Sequence, residues 1–288
     1  MEKYHTSVMA KEAIEHLKVN TSGKYIDCTL GDGGHTIEIL RKGGTLLGID
    51  LDQNAIDRAN LRLLDEGLTS GFILTKGNFK DLVEIANANG FNPCDGILYD
   101  LGTSYLQLED KKRGFSFNSD APLDMRMDQS EGVTAKDLVN VLPERELARI
   151  IFDYGGERYA KRIAKAIVKA RKEKVIEFCS ELAKLISTQV VKTKGLKIHP
   201  ATRTFQALRI AVNEEGFNLS HSLSRAAGLL KPSGRLVIIS FHSLEDKIAK
   251  TLRPSLKEVL EGPQAPSLEE VSKNPRSRSA KLRVYEKI

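Results

Sequence analysis

No apolar run in this 288-residue chain approaches the roughly 20 residues that span a bilayer. The N-terminus carries Glu2, Glu12 and Glu15 and lacks an apolar signal core. Both absences point to a cytoplasmic protein with no membrane partner. Cysteine is scarce. Cys28, Cys94 and Cys179 stand alone without a C-x-x-C pair, which argues against a zinc cluster or a disulfide framework and suits a reducing compartment. They read as small buried hydrophobes. His5, His35, His199 and His242 lack metal-ligand spacing, so no metal site is expected. No internal repeat is present. The formal net charge of +6 is modest; it permits a polyanionic partner without requiring one.

What is there is a chain long enough to bury a real core in one or two domains. From the first glycine-rich turn to about residue 104, short apolar runs alternate with amphipathic segments. Lys24-Tyr25-Ile26, Thr45–Ile49, Phe72-Ile73-Leu74 and Asp95–Tyr99 read as strands, and Ala55–Leu64 and Asp81–Ala88 as helices. This alternation predicts an α/β fold with a parallel, Rossmann-like sheet covered on both faces. Gly33, Asp50, Phe79 and Asp100 all follow strand ends and are expected in one cleft.

The pattern then breaks. Helices are predicted at Thr134–Leu142, where Thr134 and Asp137 form a capping box, then from Pro143 to Tyr154, at Glu157–Lys174 and at about Ser180–Val191. Two more are expected at Thr202–Glu215 and Leu219–Leu230. Strand signal returns at Leu236–Ser240, after a turn at Pro232-Ser233-Gly234, and at Leu282–Tyr285, read as an edge strand. One α/β domain, residues 1–105 and 205–288, is therefore split by a helical domain at 106–204. The polar stretch 263–278 reads as mobile.

The most informative segment is Asp27-Cys28-Thr29-Leu30-Gly31-Asp32-Gly33-Gly34-His35, followed by Gly48-Ile49-Asp50. It reads as strand, glycine turn, helix and a second strand ending in an acid. Asp50 stands where a nucleoside's ribose hydroxyls would lie, and a carboxylate supplies the two acceptors they need. The dinucleotide fingerprint G-x-G-x-x-G fails at Thr36, and Asp27 and Asp32 would repel a pyrophosphate. A cationic, phosphate-free nucleoside, S-adenosylmethionine, fits better, and a nicotinamide oxidoreductase is disfavoured. His35 is the histidine expected to touch ligand.

Asp100-Leu101-Gly102-Thr103-Ser104-Tyr105 follows the fourth strand. Asp100 could accept a hydrogen bond from an exocyclic amine, localising its lone pair, and Tyr105 could stack on a base. On the helix 157–174, Arg158, Lys161, Arg162, Lys165, Lys169 and Lys172 fall on one side. That stripe suits a phosphate backbone and a solvated face equally. Arg276, Arg278, Lys281 and Arg283 form a second basic cluster. Arg113-Gly114-Phe115-Ser116-Phe117 resembles an aromatic–basic loop for unpaired bases, although Phe115 and Phe117 read more naturally as a plug at the domain junction.

Taken together these strings resemble the ribosomal RNA small subunit methyltransferase H family, across essentially the whole chain from His5. The resemblance rests on the glycine-turn segment, on Asp95–Gly102 and Arg113–Phe117, and on Pro122–Asp128, His199–Arg209, Ile239–Asp246 and Asn274–Ser279. It implies a class I S-adenosylmethionine-dependent methyltransferase sheet with an inserted helical substrate-recognition domain. It also implies methylation of the exocyclic N4 of a cytidine in the decoding region of small-subunit ribosomal RNA. The family's donor contacts fall on Gly33, Gly34, His35, Asp50, Phe79, Asp100 and Gln107, and catalysis on Asp100 and Tyr105. The partner would be small-subunit ribosomal RNA or the small ribosomal subunit; monomer and dimer both stay open. Ser7, Thr103–Leu106 and Gly156 depart from the family pattern. The alternative reading is a non-catalytic RNA-binding ribosome assembly factor.

Overall fold

A computed structural model describes residues 4, 6–102, 110, 112–117, 119–130, 132–190, 198–252 and 255–288. The chain forms two compact units: Met1–Gly102 with Gly216–Ile288, and Thr103–Glu215.

The first unit is built on β1 (Lys24–Asp27), β2 (Thr45–Asp50), β3 (Phe72–Lys76), β4 (Cys94–Asp100), β5 (Leu230–Ser240), β6 (Leu256–Glu258) and β7 (Lys281–Lys287). They make one seven-stranded sheet in the order β3-β2-β1-β4-β5-β7-β6. The first five strands pair in parallel, and β7 runs antiparallel between β5 and β6. The helices in chain order are α1 (Ala10–Leu17), α2 (Gly34–Arg41), α3 (Gln53–Asp65) and α4 (Leu82–Ala88); then, in the second unit, α5 (Ala135–Val141), α6 (Glu144–Gly155), α7 (Ala160–Ala170), α8 (Cys179–Gln189) and α9 (Thr202–Val212); then α10 (Glu215–Leu229), α11 (Ser243–Ala249) and α12 (Leu268–Lys273).

Successive strand residues point to opposite faces, and both faces are buried. Ile26, Leu47, Ile97, Tyr99, Leu236 and Ile238 belong to one core, and Tyr25, Leu46, Leu98, Val237 and Ile239 to the other. That double burial is why these strands read as continuous apolar runs. Strand order reverses between β1 and β4, and such a switch point opens a crevice beyond the strands' carboxyl ends.

Three expectations for this unit need correction. β7 is an interior strand, because Leu256–Glu258 adds β6 outside it; three residues are too short to read as a strand. The turn at 232–234 lies within β5. The register moves from Cys94↔Leu230 to Gly96↔Arg235, so residues 231–234 bulge out, with Ser233 at φ 64°. The stretch 263–278 is structured: it contains α12 and a 3-10 turn at Pro275–Ser279. Glu270 of α12 accepts from the Met9 N–H at 2.7 Å, and Asn274 donates to the Thr6 carbonyl at 3.3 Å. The three cysteines are buried and free, and burial pushes the Cys94 thiol up to about 12.

Among its described residues the second unit is helical, apart from an isolated bridge between Pro122 and Phe178. Leu147, Ile151, Ile163, Ile167, Leu182 and Ile186 are fully buried in its core. Thr134 and Asp137 form the expected capping box of α5. Pro143 is the N-cap of α6 rather than its first residue, and Gly156 ends that helix in the left-handed region at φ 61°. The unit extends past the expected boundary at 204. Phe205, Leu208 and Val212 of α9 belong to the helical core, and α9 comes so close to α6 that a Cβ on Gly155 would collide with the Arg203 carbonyl oxygen. Phe115 is buried in this same core, and Phe117 stacks on His199 at 4.4 Å and meets Phe205 edge-on. The two phenylalanines thus pack within the helical unit, against an expectation that placed them at its edge. Among the described residues no helix is long and apolar enough to cross a membrane.

Candidate active site

The carboxyl ends of β1, β2 and β4 bring three acids and the glycine turn together. β1 ends at Asp27, whose side chain is only 1% exposed. Its Oδ1 accepts from the Thr29 N–H at 3.1 Å and its Oδ2 from the Thr36 hydroxyl at 3.0 Å. Thr36 is thus a buried tie between α2 and β1, in the place where a dinucleotide fold has a glycine for close packing. Burial raises the Asp27 carboxyl above its ordinary range, against the pull of His35 and of both hydrogen bonds.

The turn itself needs glycine at Gly33, the N-cap of α2, which stands at φ 72° with Ala59 3.3 Å from a would-be Cβ. Gly34 passes under Ser7: a Cβ there would collide with the Ser7 hydroxyl. His35, on the first turn of α2, is buried. Its Nε2 lies 3.2 Å from Asp100 Oδ2. Burial works to lower the imidazole pKa, but the Asp100 hydrogen bond and the charges of Asp100 and Asp27 outweigh it and raise the value.

Asp50 at the end of β2 is clamped by backbone. Its Oδ2 accepts from the Gly31 N–H and its Oδ1 from the Asp52 N–H, each at 2.9 Å. The Gly31 bond ties the glycine turn to the acid that sequence reading assigned to a ribose. Burial pushes this carboxyl up to about 6, although both N–H donors oppose the shift. The Asp50 carbonyl accepts from the Gly77 N–H at 2.9 Å, which holds the start of the β3 loop. Two residues on, Phe79 opens a 3-10 turn capped by Asn78. The Phe79 ring is half-buried and lies edge-on to Tyr99 at 5.8 Å.

Asp100 ends β4. Its N–H donates to Thr29 Oγ at 2.6 Å, so Thr29 links the β1 turn to the end of β4. Sequence reading gave Thr29 no role; the only signal was a hydroxyl two residues after the strand-end acid. Two polar atoms here are buried without a protein partner, His35 Nδ1 and Asp100 Oδ1. Oδ1 is a hydrogen-bond acceptor, and Nδ1 donates or accepts according to where the ring carries its protons. Two unmet polar atoms at one strand end are groups that a polar ligand could satisfy.

The structure thus gathers Gly33, Gly34, His35, Asp50, Phe79 and Asp100 along the ends of adjacent strands. Tyr105 and Gln107 lie outside the described residues. Asp32 has a different part from the one expected. Arg58 forks onto it, Nε to Oδ1 at 3.2 Å and Nη2 to Oδ2 at 3.3 Å, and Tyr4 lies beneath the Arg58 and Arg62 guanidinium groups. Its charge is neutralised within the protein, and Asp27 is buried under the turn. Among the described residues, Asp50 and Asp100 are the carboxylates at these strand ends that no guanidinium meets.

A family model described as the MraW methylase family matches residues 2–288. A protein named Ribosomal RNA small subunit methyltransferase H from Carboxydothermus hydrogenoformans is 43% identical, covering 100% of this chain and 99% of its own length. The protein of that name from Geotalea uraniireducens is 46% identical, with 99% of each chain covered. The one from Deinococcus radiodurans is 47% identical over 98% of this chain and 89% of its own.

Proposed function

Because the chain belongs to the MraW methylase family, we propose that it methylates the exocyclic N4 of a cytidine in the decoding region of small-subunit ribosomal RNA, with S-adenosylmethionine as donor. The donor supplies, when bound, a methyl group carried on a positively charged sulfur. The observation that supports this reading most is the joint presence, at the strand ends, of the clamped Asp50 carboxylate and the unsatisfied His35 Nδ1 and Asp100 Oδ1. A nucleoside carrying ribose hydroxyls and an amino-acid end offers donors and acceptors to match.

In this account Asp50 accepts hydrogen bonds from the ribose. The Gly33-Gly34 backbone allows close approach, His35 and Asp100 meet polar groups, and Phe79 and Gln107 complete the donor contact. Asp100 also accepts a hydrogen bond from the cytosine amine, which turns the nitrogen lone pair out of the ring system, and Tyr105 stacks on the base. No protein nucleophile is needed. Holding the amine in line at near-contact distance can itself contribute on the order of 7–11 kcal/mol. The helical unit serves substrate recognition, and the partner is small-subunit ribosomal RNA or the assembled small subunit.

The test is methyl transfer from labelled donor to small-subunit ribosomal RNA by the wild type and by Asp100→Ala. Activity in the wild type and its loss in a folded Asp100→Ala protein are expected. Full activity in the variant would remove Asp100 from the reaction. RNA binding without any transfer by the wild type would leave an assembly factor.

A further inference from the structure

Within the helical unit, α7 divides sharply. Ala160, Ile163, Ala164 and Ile167 are buried, whereas Lys161, Arg162, Lys165 and Lys169 are exposed, as is Lys172 in the turn that continues the helix. At 100° per residue these five cations fall within an arc of about 100°. The stripe continues beyond the last residue of α7 because the Lys172 N–H still donates to the Lys169 carbonyl at 3.3 Å.

Four other cations of this unit are matched by acids. Lys136 pairs with Glu177 and Lys174 with Glu181, each at 2.6 Å, Arg126 with Asp124 at 2.7 Å and Arg209 with Glu215 at 2.8 Å. On the α7 stripe, among the described residues, Lys161, Lys165, Lys169 and Lys172 form no ion pair, and Arg162 meets only the neutral Gln189 at 3.2 Å. Like charges at i,i+4 (161/165 and 165/169) destabilise a helix. The first turn of α7 holds no acid, so Lys161 and Arg162 also stand against the helix dipole. A merely solvated face is ordinarily mixed in sign. This one retains a single sign at a cost in stability, and that is what a polyanion-binding face requires.

We infer that the Lys161–Arg162–Lys165–Lys169–Lys172 face of the helical unit is a docking surface for the phosphate backbone of the substrate RNA. This rests on the proposed action on ribosomal RNA and adds to it the place where affinity arises. The contact is to phosphates, so it carries charge and not sequence.

The test is the quadruple variant Lys161→Gln/Lys165→Gln/Lys169→Gln/Lys172→Gln, with Lys136→Gln/Lys174→Gln as a control that removes paired lysines of the same unit. Binding of transcribed small-subunit ribosomal RNA and of purified small subunits is measured by fluorescence anisotropy from 50 to 200 mM salt, without methyl donor. With about 0.7 counterions released per single-strand phosphate contact, four lost contacts flatten the log–log salt slope by about 3 and weaken binding by up to about fiftyfold more at 50 mM than at 200 mM. The control should keep the wild-type slope, and the quadruple variant should keep wild-type donor affinity by calorimetry. An unchanged slope on both RNA probes, or an equal loss in the control, would overturn the inference. Lys165→Gln/Lys169→Gln repeats the test at half the expected slope change should the quadruple variant lose its helical circular dichroism. Because binding is read without turnover, failure of methyl transfer and failure of this surface are separate results.

Discussion

Asp50 makes donor binding a pH-dependent quantity whose size can be worked out. Its carboxyl titrates at about 6 against an ordinary 3.8. At neutral pH the native state therefore carries a carboxylate disfavoured by about 3 kcal/mol relative to the unfolded chain. The native value is the higher one, so this group's contribution to stability is best below pH 4 and is lost as pH rises from about 4 to about 6. Donor hydroxyls hydrogen-bonding to the ionised form would relieve part of that cost. If only the carboxylate binds, apparent affinity scales with the ionised fraction, and Kd should rise about eightfold from pH 6.5 to pH 5.0. His35 titrates above its usual 6.5 because the Asp100 hydrogen bond and nearby acids outweigh burial. Its titration therefore lies above this window. Titration calorimetry with S-adenosylmethionine at both pH values measures the effect. Asp50→Asn should bind about 10- to 100-fold more weakly at pH 6.5, the worth of a charged hydrogen bond, and should lose the pH slope. A flat wild-type Kd, or a slope that survives in Asp50→Asn, would refute the assignment of Asp50 to the ribose.

Other outcomes follow from individual contacts. Thr29→Val removes the acceptor for the Asp100 N–H; a loss of about 1–3 kcal/mol in thermal or urea melts is expected, together with reduced methyl transfer, and unchanged values for both would show the bond to be dispensable. Asp246→Ala strips Arg283, only 3% exposed, of its 2.8 Å partner and leaves it Glu258 alone; unfolding free energy should fall by about 3 kcal/mol, and a loss below 1 kcal/mol would mean the site hydrates easily. Gly155→Ala drives a methyl group against the Arg203 carbonyl; a cost of about 1–3 kcal/mol, read by chemical denaturation, is expected, and a neutral variant would show that α6 and α9 can move apart.

The sheet was legible because its strands are buried on both faces and announce themselves as apolar runs such as Leu46-Leu47 and Leu236–Ile239. β6 was not, since three residues carry no period. The end of the helical unit was misplaced because α9 looks the same whether Phe205 and Leu208 pack on helices or on a sheet. At the site, strand-end acids separated by fixed topology could be named individually; His35 bonds to Asp100, and Asp50 bonds to the glycine turn through the Gly31 N–H. What one sequence hides is pairing across the chain. Asp32 reads as a free charge until Arg58, 26 residues later, folds onto it. Thr29 reads as a filler until the Asp100 N–H arrives from 71 residues away.

The most direct measurement is nucleoside mass mapping of small-subunit ribosomal RNA incubated with the purified protein and isotopically labelled S-adenosylmethionine. The account predicts label on N4-methylcytidine from a decoding-region fragment, and none with Asp100→Ala. Label on another base, or on a cytidine elsewhere in the RNA, would contradict it.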